Sequence, residues 1–318
     1  MAEMPLIVAV ALNPALDRIL HVPDLAVGGH VRGRLVSVQP AGKAVNVARL
    51  LGHLGVPCIL TGLVGEDDRD RFVKSFAKTP VRVEMFEVRA PTRENITLID
   101  PGRGGLETHI RDVGFTVTEE DLERLTKKLS ILAVKGAYVI VAGSLPGGVA
   151  ADTFADILAV CRAKGAFVAV DSSGPGLAAL RKARDLWLIK PNRQELAELA
   201  GKPAETEADI RAAVKPLLRR IDNVVVTLGA EGAYLFCREG AWRAAPHVEH
   251  QEVVKTVGSG DALMAGFVSC HASRKRPPEC LRYGVACGTA ATFQTRAGDV
   301  NPYDVKACLE KAELAAVK

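Results

Sequence analysis

Much that would classify this 318-residue chain at a glance is missing from it. Its seven cysteines, at 58, 161, 237, 270, 280, 287 and 308, form no Cys-x-x-Cys pair, and their number is odd. That pattern argues against a disulfide framework or a zinc site, and for reduced, packed thiols in a cytoplasmic protein. No window approaches the roughly 20 apolar residues that span a bilayer. The start, Met1 to Pro5, has no cationic segment and runs straight into a short apolar stretch, unlike a secretory signal. There is no block of Lys and Arg, no basic stripe interleaved with aromatics, and a formal charge of only +4. Neither a membrane nor a nucleic acid is therefore expected as a partner. Repeats and low-complexity segments are absent. Two common nucleotide signatures are absent as well. Gly42-Lys43 is followed by Ala44 and Gly201-Lys202 by Pro203, so neither completes a Walker loop, which needs Ser or Thr after the lysine. Gly258-Ser259-Gly260 has Leu263 where a dinucleotide fingerprint places its third glycine, which weighs against an oxidoreductase.

What is present is an α/β pattern. Hydrophobic residues make up 48% of the chain and charged ones 25%, enough for a large core in a globular protein. Apolar runs at Leu6–Leu12, Cys58–Leu63, Ala137–Ala142, Phe167–Val170, Leu186–Ile189 and Val224–Leu228 read as buried strands. Helical patterns follow several of them, at Ala44–Leu54, Asp68–Phe76, Ala151–Lys164, Arg193–Leu199 and Asp209–Arg219. Such alternation predicts a mostly parallel sheet covered on both faces, with ligands at the C-terminal ends of the strands. Two stretches, Asp17–Ser37 and Phe86–Val113, break the alternation. Short alternating segments such as His30–Val36 and a hairpin-turn signal at Pro101–Gly105 mark them as strands of a small inserted sheet. The division expected is a main domain of 1–12, 38–85 and 114–318, with 13–37 and 86–113 forming the insertion. A lid over substrate and a dimerisation flap are both readings of that insertion, and they are compatible.

The most specific segment is Lys255-Thr256-Val257-Gly258-Ser259-Gly260-Asp261-Ala262, which runs into an apolar helical pattern. Glycines allow a tight turn that aims successive N–H groups at one point. The start of a helix adds unpaired N–H groups and the positive end of its dipole, so the corner suits an anion. A carboxylate, Asp261, placed there suggests a base working beside a transferring phosphoryl group. The competing reading is an ordinary early-helix carboxylate after a turn.

Four separated motifs, in order and spacing, resemble the PfkB carbohydrate kinases of ribokinase-like fold. The likeness runs from near residue 8 to near residue 300. It is closest to the branch that acts on sugar phosphates: 1-phosphofructokinase, tagatose-6-phosphate kinase and the minor 6-phosphofructokinase. The motifs are Leu12-Asn13-Pro14-Ala15-Leu16-Asp17, Ala41-Gly42-Lys43-Ala44-Val45-Asn46, the pair Thr92-Arg93-Glu94-Asn95 and Ala142-Gly143-Ser144, and Lys190-Pro191-Asn192-Arg193-Gln194-Glu195 followed by Thr227-Leu228-Gly229-Ala230-Glu231-Gly232. Ala44 and Lys255 depart from the family pattern, which has glycine at the first position and usually Asp, Ser or Asn at the second. The resemblance implies a three-layer α/β/α fold with a small β lid, and ATP-dependent phosphorylation of a ketohexose phosphate. Asp17, Gly42, Lys43, Asn46, Arg93 and Ser144 would bind the sugar phosphate, Arg93 and Ser144 gripping its phosphate. Lys190, Asn192, Thr227, Gly229, Gly232 and Val257 would border ATP, and Asn192 and Glu195 would organise Mg2+ through its waters. Asp261 would be the catalytic base, with Gly258, Ser259 and Gly260 forming the anion hole. A kinase of an unphosphorylated sugar or nucleoside, and a non-catalytic regulator that binds ATP or a sugar phosphate, are the alternatives. A homodimer through the lid is the expected assembly.

Overall fold

A computed structural model describes residues 4–247 and 253–317. A large sheet contains seven parallel strands: β1 (Ile7–Ala11), β4 (Cys58–Gly65), β5 (Val81–Val88), β8 (Tyr138–Ala142), β9 (Phe167–Asp171), β10 (Leu186–Ile189) and β11 (Ile221–Thr227). Antiparallel strands β12 (Ala233–Cys237), β13 (Gly240–Ala245) and β14 (Glu313–Ala316) extend one edge. The order is β14-β13-β12-β11-β10-β9-β8-β1-β4-β5. The antiparallel edge is the part that strand–helix alternation did not announce.

The sequence of β1, Ile-Val-Ala-Val-Ala, offers no polar face, and all of it is buried. Its odd residues Ile7, Ala9 and Ala11 join one core, and its even residues Val8 and Val10 join another. On the first face lie α1 (Lys43–His53), α2 (Arg69–Phe76), α8 (Ser259–Ala272), α9 (Pro277–Ala291) and α10 (Pro302–Lys311). On the second lie α3 (Glu119–Leu132), α4 (Ala151–Arg162), α5 (Pro175–Ala179), α6 (Arg193–Ala200) and α7 (Glu207–Val214). This is the expected three-layer fold. The expected helix Asp209–Arg219 stops at Val214, and a separate 3-10 turn covers Leu217–Arg219. Pro216, which cannot donate the helical hydrogen bond, separates the two. None of the described helices is long and apolar enough to cross a membrane.

The small sheet has four strands in the order β3-β2-β6-β7, from β2 (Ala15–His21), β3 (Arg34–Ala41), β6 (Arg93–Asp100) and β7 (Leu106–Arg111). The two insertions join through the parallel pair β2–β6. Its boundaries differ from expectation. Residues 86–88 pair with β4 in the large sheet rather than with the insertion, and β3 continues past residue 37 to Ala41. The Pro101 turn is a hairpin, held where the Asp100 carboxylate accepts from the N–H groups of Gly102, Asp24 and Leu25.

Register gives this sheet two different faces. Leu35 pairs with Leu20, Leu20 with Leu98 and Ile96 with Ile110, so these residues and Leu106 share a face, together with Arg18, Glu94 and Asp100. Asp17 pairs with Asn95 and Asn95 with Arg111, so these three polar residues share the other.

Candidate active site

β1 is flanked by β4 and β8, so the chain leaves the middle of the sheet in both directions. That divergence opens a crevice at the C-terminal strand ends. The predicted Asp261, Asn46, Gly260, Lys43 and Lys190 come together there.

Gly258 turns the chain into α8 with φ 92°, a left-handed conformation. A Cβ at that position would also lie 2.8 Å from the Ala297 Cβ, so the corner requires glycine on both counts. The Ser259 N–H turns back on the Thr256 carbonyl at 3.3 Å, and Ala262 N–H donates to Gly258 O at 2.9 Å. Among the described residues, the N–H groups of Gly258, Gly260 and Asp261 meet no main-chain acceptor. The anion corner therefore rests on those groups and not on Ser259. The Lys190 ammonium lies beside it, 3.1 Å from where a Gly260 Cβ would stand.

Asp261 is buried. Asn46 Nδ2 donates to its Oδ2 at 2.8 Å. Burial first, and then the charge of Asp171, push its carboxyl up to about 6, against the opposing pull of Asn46, Lys43 and Lys190. Asn46 is itself held: Arg49 Nη1 donates to its Oδ1 at 3.1 Å and to Ala297 O at 3.0 Å, while Nη2 donates to Pro40 O at 2.6 Å. Burial brings Arg49 down to about 10.

One residue that sequence reasoning missed is Asp171. The expected strand ended at Val170, one position too soon. Asp171 closes β9 at 2% exposure, with Lys43 Nζ at 2.7 Å from one oxygen and Lys190 Nζ at 3.0 Å from the other. Burial alone would raise its pKa, but Lys190 and Lys43 outweigh it and hold the carboxyl below the usual range. Burial likewise works against the Lys43 charge, yet Asp171, with Asp261 and Glu195 further off, pushes Lys43 up to about 12. A carboxylate just after a continuous apolar run was the available signal. Gly42 allows this arrangement: it precedes α1 with φ 117°, which a Cβ-bearing residue rarely adopts, and α1 starts at Lys43. Ala44 lies inside α1 and is buried, so the helix needs no glycine there.

On the sugar side, Asn13 Nδ2 donates to Val113 O at 2.9 Å and reaches Ser144 Oγ at 3.3 Å. Arg93 does not stand free. Its Nε, Nη1 and Nη2 donate to the carbonyls of Pro14, Asp112 and Asn13 at 3.2, 2.9 and 2.9 Å. Two of its five N–H bonds remain. Asn95 Nδ2 donates to Asp17 Oδ1 at 2.8 Å, and Arg111 lies 4.0 Å from the same oxygen. Arg49, Arg93 and Arg296 also feel the Asp17 charge. Arg111 is thus the arginine within ion-pair range of Asp17, and the other three feel its charge from further off. Arg49, Arg111 and Arg296 were not among the expected site residues, and no local motif marks them.

The nucleotide-side residues occupy the ends of β10 and β11. Asn192 caps α6: its Oδ1 accepts from Glu195 N–H at 2.8 Å, and Glu195 Oε2 accepts from Asn192 N–H at 2.9 Å. This capping box fixes both side chains while leaving the second Glu195 oxygen uncommitted. Thr227 N–H donates to Pro191 O at 3.0 Å, which joins the two strand ends. Beyond it, Gly229 to Gly232 form a tight turn in which Leu228 N–H donates to Gly232 O at 2.9 Å. Val257 is 47% exposed just ahead of the corner. Among the described residues, no group of three or more His, Cys, Asp or Glu side chains could hold a metal. Asn192 and Glu195 together suit an ion that keeps most of its water and takes its other oxygens from a nucleotide.

A buried carboxylate in the first turn of α8, unpaired N–H groups beside it and lysines close by form an arrangement whose chemistry suits phosphoryl transfer on an α/β scaffold. The chain matches the pfkB family carbohydrate kinases over residues 4–303. It is 35% identical over 293 residues to the 1-phosphofructokinase of Vibrio cholerae, covering 92% of this chain and 91% of that one. To the 1-phosphofructokinase of Escherichia coli it is 33% identical over 310 residues, 97% of each. The structure of phosphofructokinase-2 from Escherichia coli in complex with potassium superposes with a TM-score of 0.90 at 26% identity, covering 97% of this chain and 99% of that one. The same enzyme in complex with fructose-6-phosphate gives a TM-score of 0.86, again at 26% identity with 97% and 99% covered. The chain belongs to the pfkB family, and it is an ATP-dependent carbohydrate kinase.

Proposed function

We propose that the protein transfers a phosphoryl group from ATP to a hydroxyl of a ketohexose phosphate, and that fructose 1-phosphate is the preferred acceptor. The observation that carries the reading is Asp261, buried at the mouth of an anion corner, held by Asn46 and pushed up to about 6. At that value it is ionised at neutral pH yet more basic than an ordinary carboxylate. It accepts the proton of the attacking hydroxyl as the new O–P bond forms. The open N–H groups of Gly258 and Gly260, the α8 dipole and Lys190 hold charge on the group in transfer. Asp171 fixes Lys43 and Lys190 in place, so these cations need not reorganise during the reaction. Mg2+, when bound with ATP, would neutralise phosphate charge; Asn192 and Glu195 would hold it through water.

The acceptor as a sugar phosphate is supported by the arginines around Asp17. Asp17 suits sugar hydroxyls, and the remaining N–H bonds of Arg93 suit a phosphate already on the substrate. The names of the more than 30% identical relatives support fructose 1-phosphate among the candidates. The small sheet would close over that substrate with its polar face. Its apolar face, with Leu35 48%, Leu106 61% and Ile110 50% exposed, would be covered by the same sheet of a second copy. The test is ADP release with fructose 1-phosphate, fructose 6-phosphate, tagatose 6-phosphate, fructose and ribose. A kcat/KM at least about tenfold higher for fructose 1-phosphate is expected, a difference of about 1.4 kcal/mol in transition-state binding. Preference for an unphosphorylated sugar would refute the sugar-phosphate reading, and preference for another ketohexose phosphate would refute only the choice among them.

A further inference from the structure

Among the described residues Arg49 is the only buried arginine, at 3% exposure. A charge taken out of water needs strong partners, and this one finds them in three separate parts of the chain. Nη1 donates to Asn46 Oδ1, one turn earlier on α1, and to the Ala297 carbonyl, while Nη2 donates to the Pro40 carbonyl. Pro40 lies in β3 and pairs with Leu16 of β2, so its carbonyl belongs to the root of the small sheet. Ala297 lies in the loop that backs the site: a Cβ at Gly258 would stand 2.8 Å from the Ala297 Cβ, and one at Gly298 would stand 2.8 Å from the Asn46 Cα. The guanidinium carbon rests 5.7 Å from the centre of the Phe76 ring, and Nε is 3.8 Å from Asp299. The side chain is thus enclosed by α1, α2, β3 and one loop, and its fork of donors points at fixed acceptors.

We propose that Arg49 is a positioning residue for phosphoryl transfer: it fixes the Asn46 amide so that Nδ2 donates to Asp261, and it ties that pair to the root of the small sheet. This role rests on Asp261 being the base. An amide has an accepting end and a donating end of nearly the same size. Turned over, Asn46 would aim its oxygen at the Asp261 carboxylate and could no longer donate to it. With Arg49 donating to Oδ1, only one orientation satisfies both neighbours, and it is the one that leaves Nδ2 2.8 Å from Asp261 Oδ2. That hydrogen bond opposes the rise of the Asp261 pKa, so losing it makes the base harder to ionise. The charged groups that act most on Asp261 are Asp171 of β9, Lys43 of α1 and Lys190 just after β10. Those facing Arg49 are Asp299 and Arg296 of the loop and Asp17 of β2, with His53 of α1 4.0 Å from Asp299. Lysine at position 49 would keep the charge but not the planar fork, and a single ammonium cannot reproduce both of its arms.

The test compares kcat/KM from about pH 5 to about pH 9 for the full-length wild type, Arg49→Lys, Asn46→Ala and the double variant, with ATP and whichever sugar phosphate is the best acceptor. Arg49→Lys is expected to lower kcat by about tenfold or more. It should move the acid limb of the profile up by about one pH unit, the scale of one lost hydrogen bond, and change KM for ATP by less than about twofold. In the Asn46→Ala background the same substitution should add little, because residues that act through one another are not additive. Arg49→Gln, shorter and uncharged, takes the place of Arg49→Lys if the buried ammonium prevents folding. An acid limb left at the wild-type position, with only the melting temperature lowered, would overturn the positioning role and leave Arg49 a purely structural residue. A full additional loss in the Asn46→Ala background would overturn it as well. Asp261→Asn separates the two roles. If it keeps turnover, the base falls and the role of Arg49 with it; if it is inactive while the acid limb of Arg49→Lys does not move, only the role of Arg49 falls.

Discussion

Every residue of β1, β4, β8 and β10 in the large sheet is buried, whereas every residue of β7 in the small sheet is exposed and β3 begins with three exposed residues. The large sheet is covered by helices on both faces. It can therefore hold three ionised groups, Asp171, Lys43 and Lys190, in fixed contact. The small sheet has no such cover. Its ion pair Arg18–Glu94 is about one-third exposed on each side, and pairs of that kind contribute little. The small sheet is tied at its root instead, where Arg93 and Asn13 join main-chain carbonyls. Fixed charge thus belongs to the large sheet, and exposed, weakly paired surface to the small one.

The sharpest way to break this contrast is Asp171→Ala. It leaves the buried Lys190 and the one-third exposed Lys43 without their shared partner, and breaking the buried Lys190 pair is expected to cost about 3–5 kcal/mol in stability. Arg18→Ala in the small sheet should hardly move the melting temperature. Equal thermal shifts for the two variants would erase the distinction.

Next in size is Asp261→Asn, expected to lower turnover by about 100-fold or more with nucleotide binding largely intact. Retention of more than about a tenth of wild-type turnover would remove Asp261 as the base. The variant should also be the more stable protein at neutral pH. The folded pKa of Asp261 is raised above its unfolded value, so the wild type loses stability as pH climbs from about 4 through about 6. The difference should approach about 3 kcal/mol at pH 7, from 1.36 kcal/mol per pKa unit, and vanish on acidification. Wild-type kcat/KM should fall below about pH 6 as the base becomes protonated; a flat profile from pH 5 to 7 would contradict the assignment.

Arg93→Ala probes the joint between the sheets. Losing a charge-assisted phosphate contact costs roughly 1.5–3 kcal/mol, so KM for the sugar phosphate should rise about 10- to 100-fold, with a much smaller change for ATP. If both constants rise alike, Arg93 serves only the three carbonyls it now holds.

The smallest expected effect on stability is that of Ile110→Glu. Ile110 is 50% exposed, so melting should change by less than about 0.5 kcal/mol equivalent, while light scattering should show a dimer becoming a monomer. In the wild type, sugar phosphate should slow hydrogen exchange in β2–β3 and β6–β7 together. A response in only one insertion would mean that they do not close as a unit.

Local pattern carried much of this. Six apolar runs lie on strands of the large sheet, and the helix expected after the glycine corner starts there, with Asp261 in its first turn, because glycine conformation and helix-start chemistry act over a few neighbouring residues. The helices α3, α9 and α10 and the antiparallel strands β12 to β14 were not read. Residues 86–88 were assigned to the wrong sheet, since an alternating segment has the same pattern in either.

The chain by itself determined the layered α/β class, the anion corner with its carboxylate and the two interruptions that become a second sheet, all of which follow from periodicity and turn chemistry within about ten residues. Only the tertiary structure decided that Asp171 would clamp Lys43 and Lys190, that Arg49 would hold Asn46 against Asp261, and that Ser259 would spend its N–H on Thr256. Charge and hydrogen-bond partners are set by distances across the fold, and for Asp171, 128 positions from Lys43, no local pattern encodes the distance.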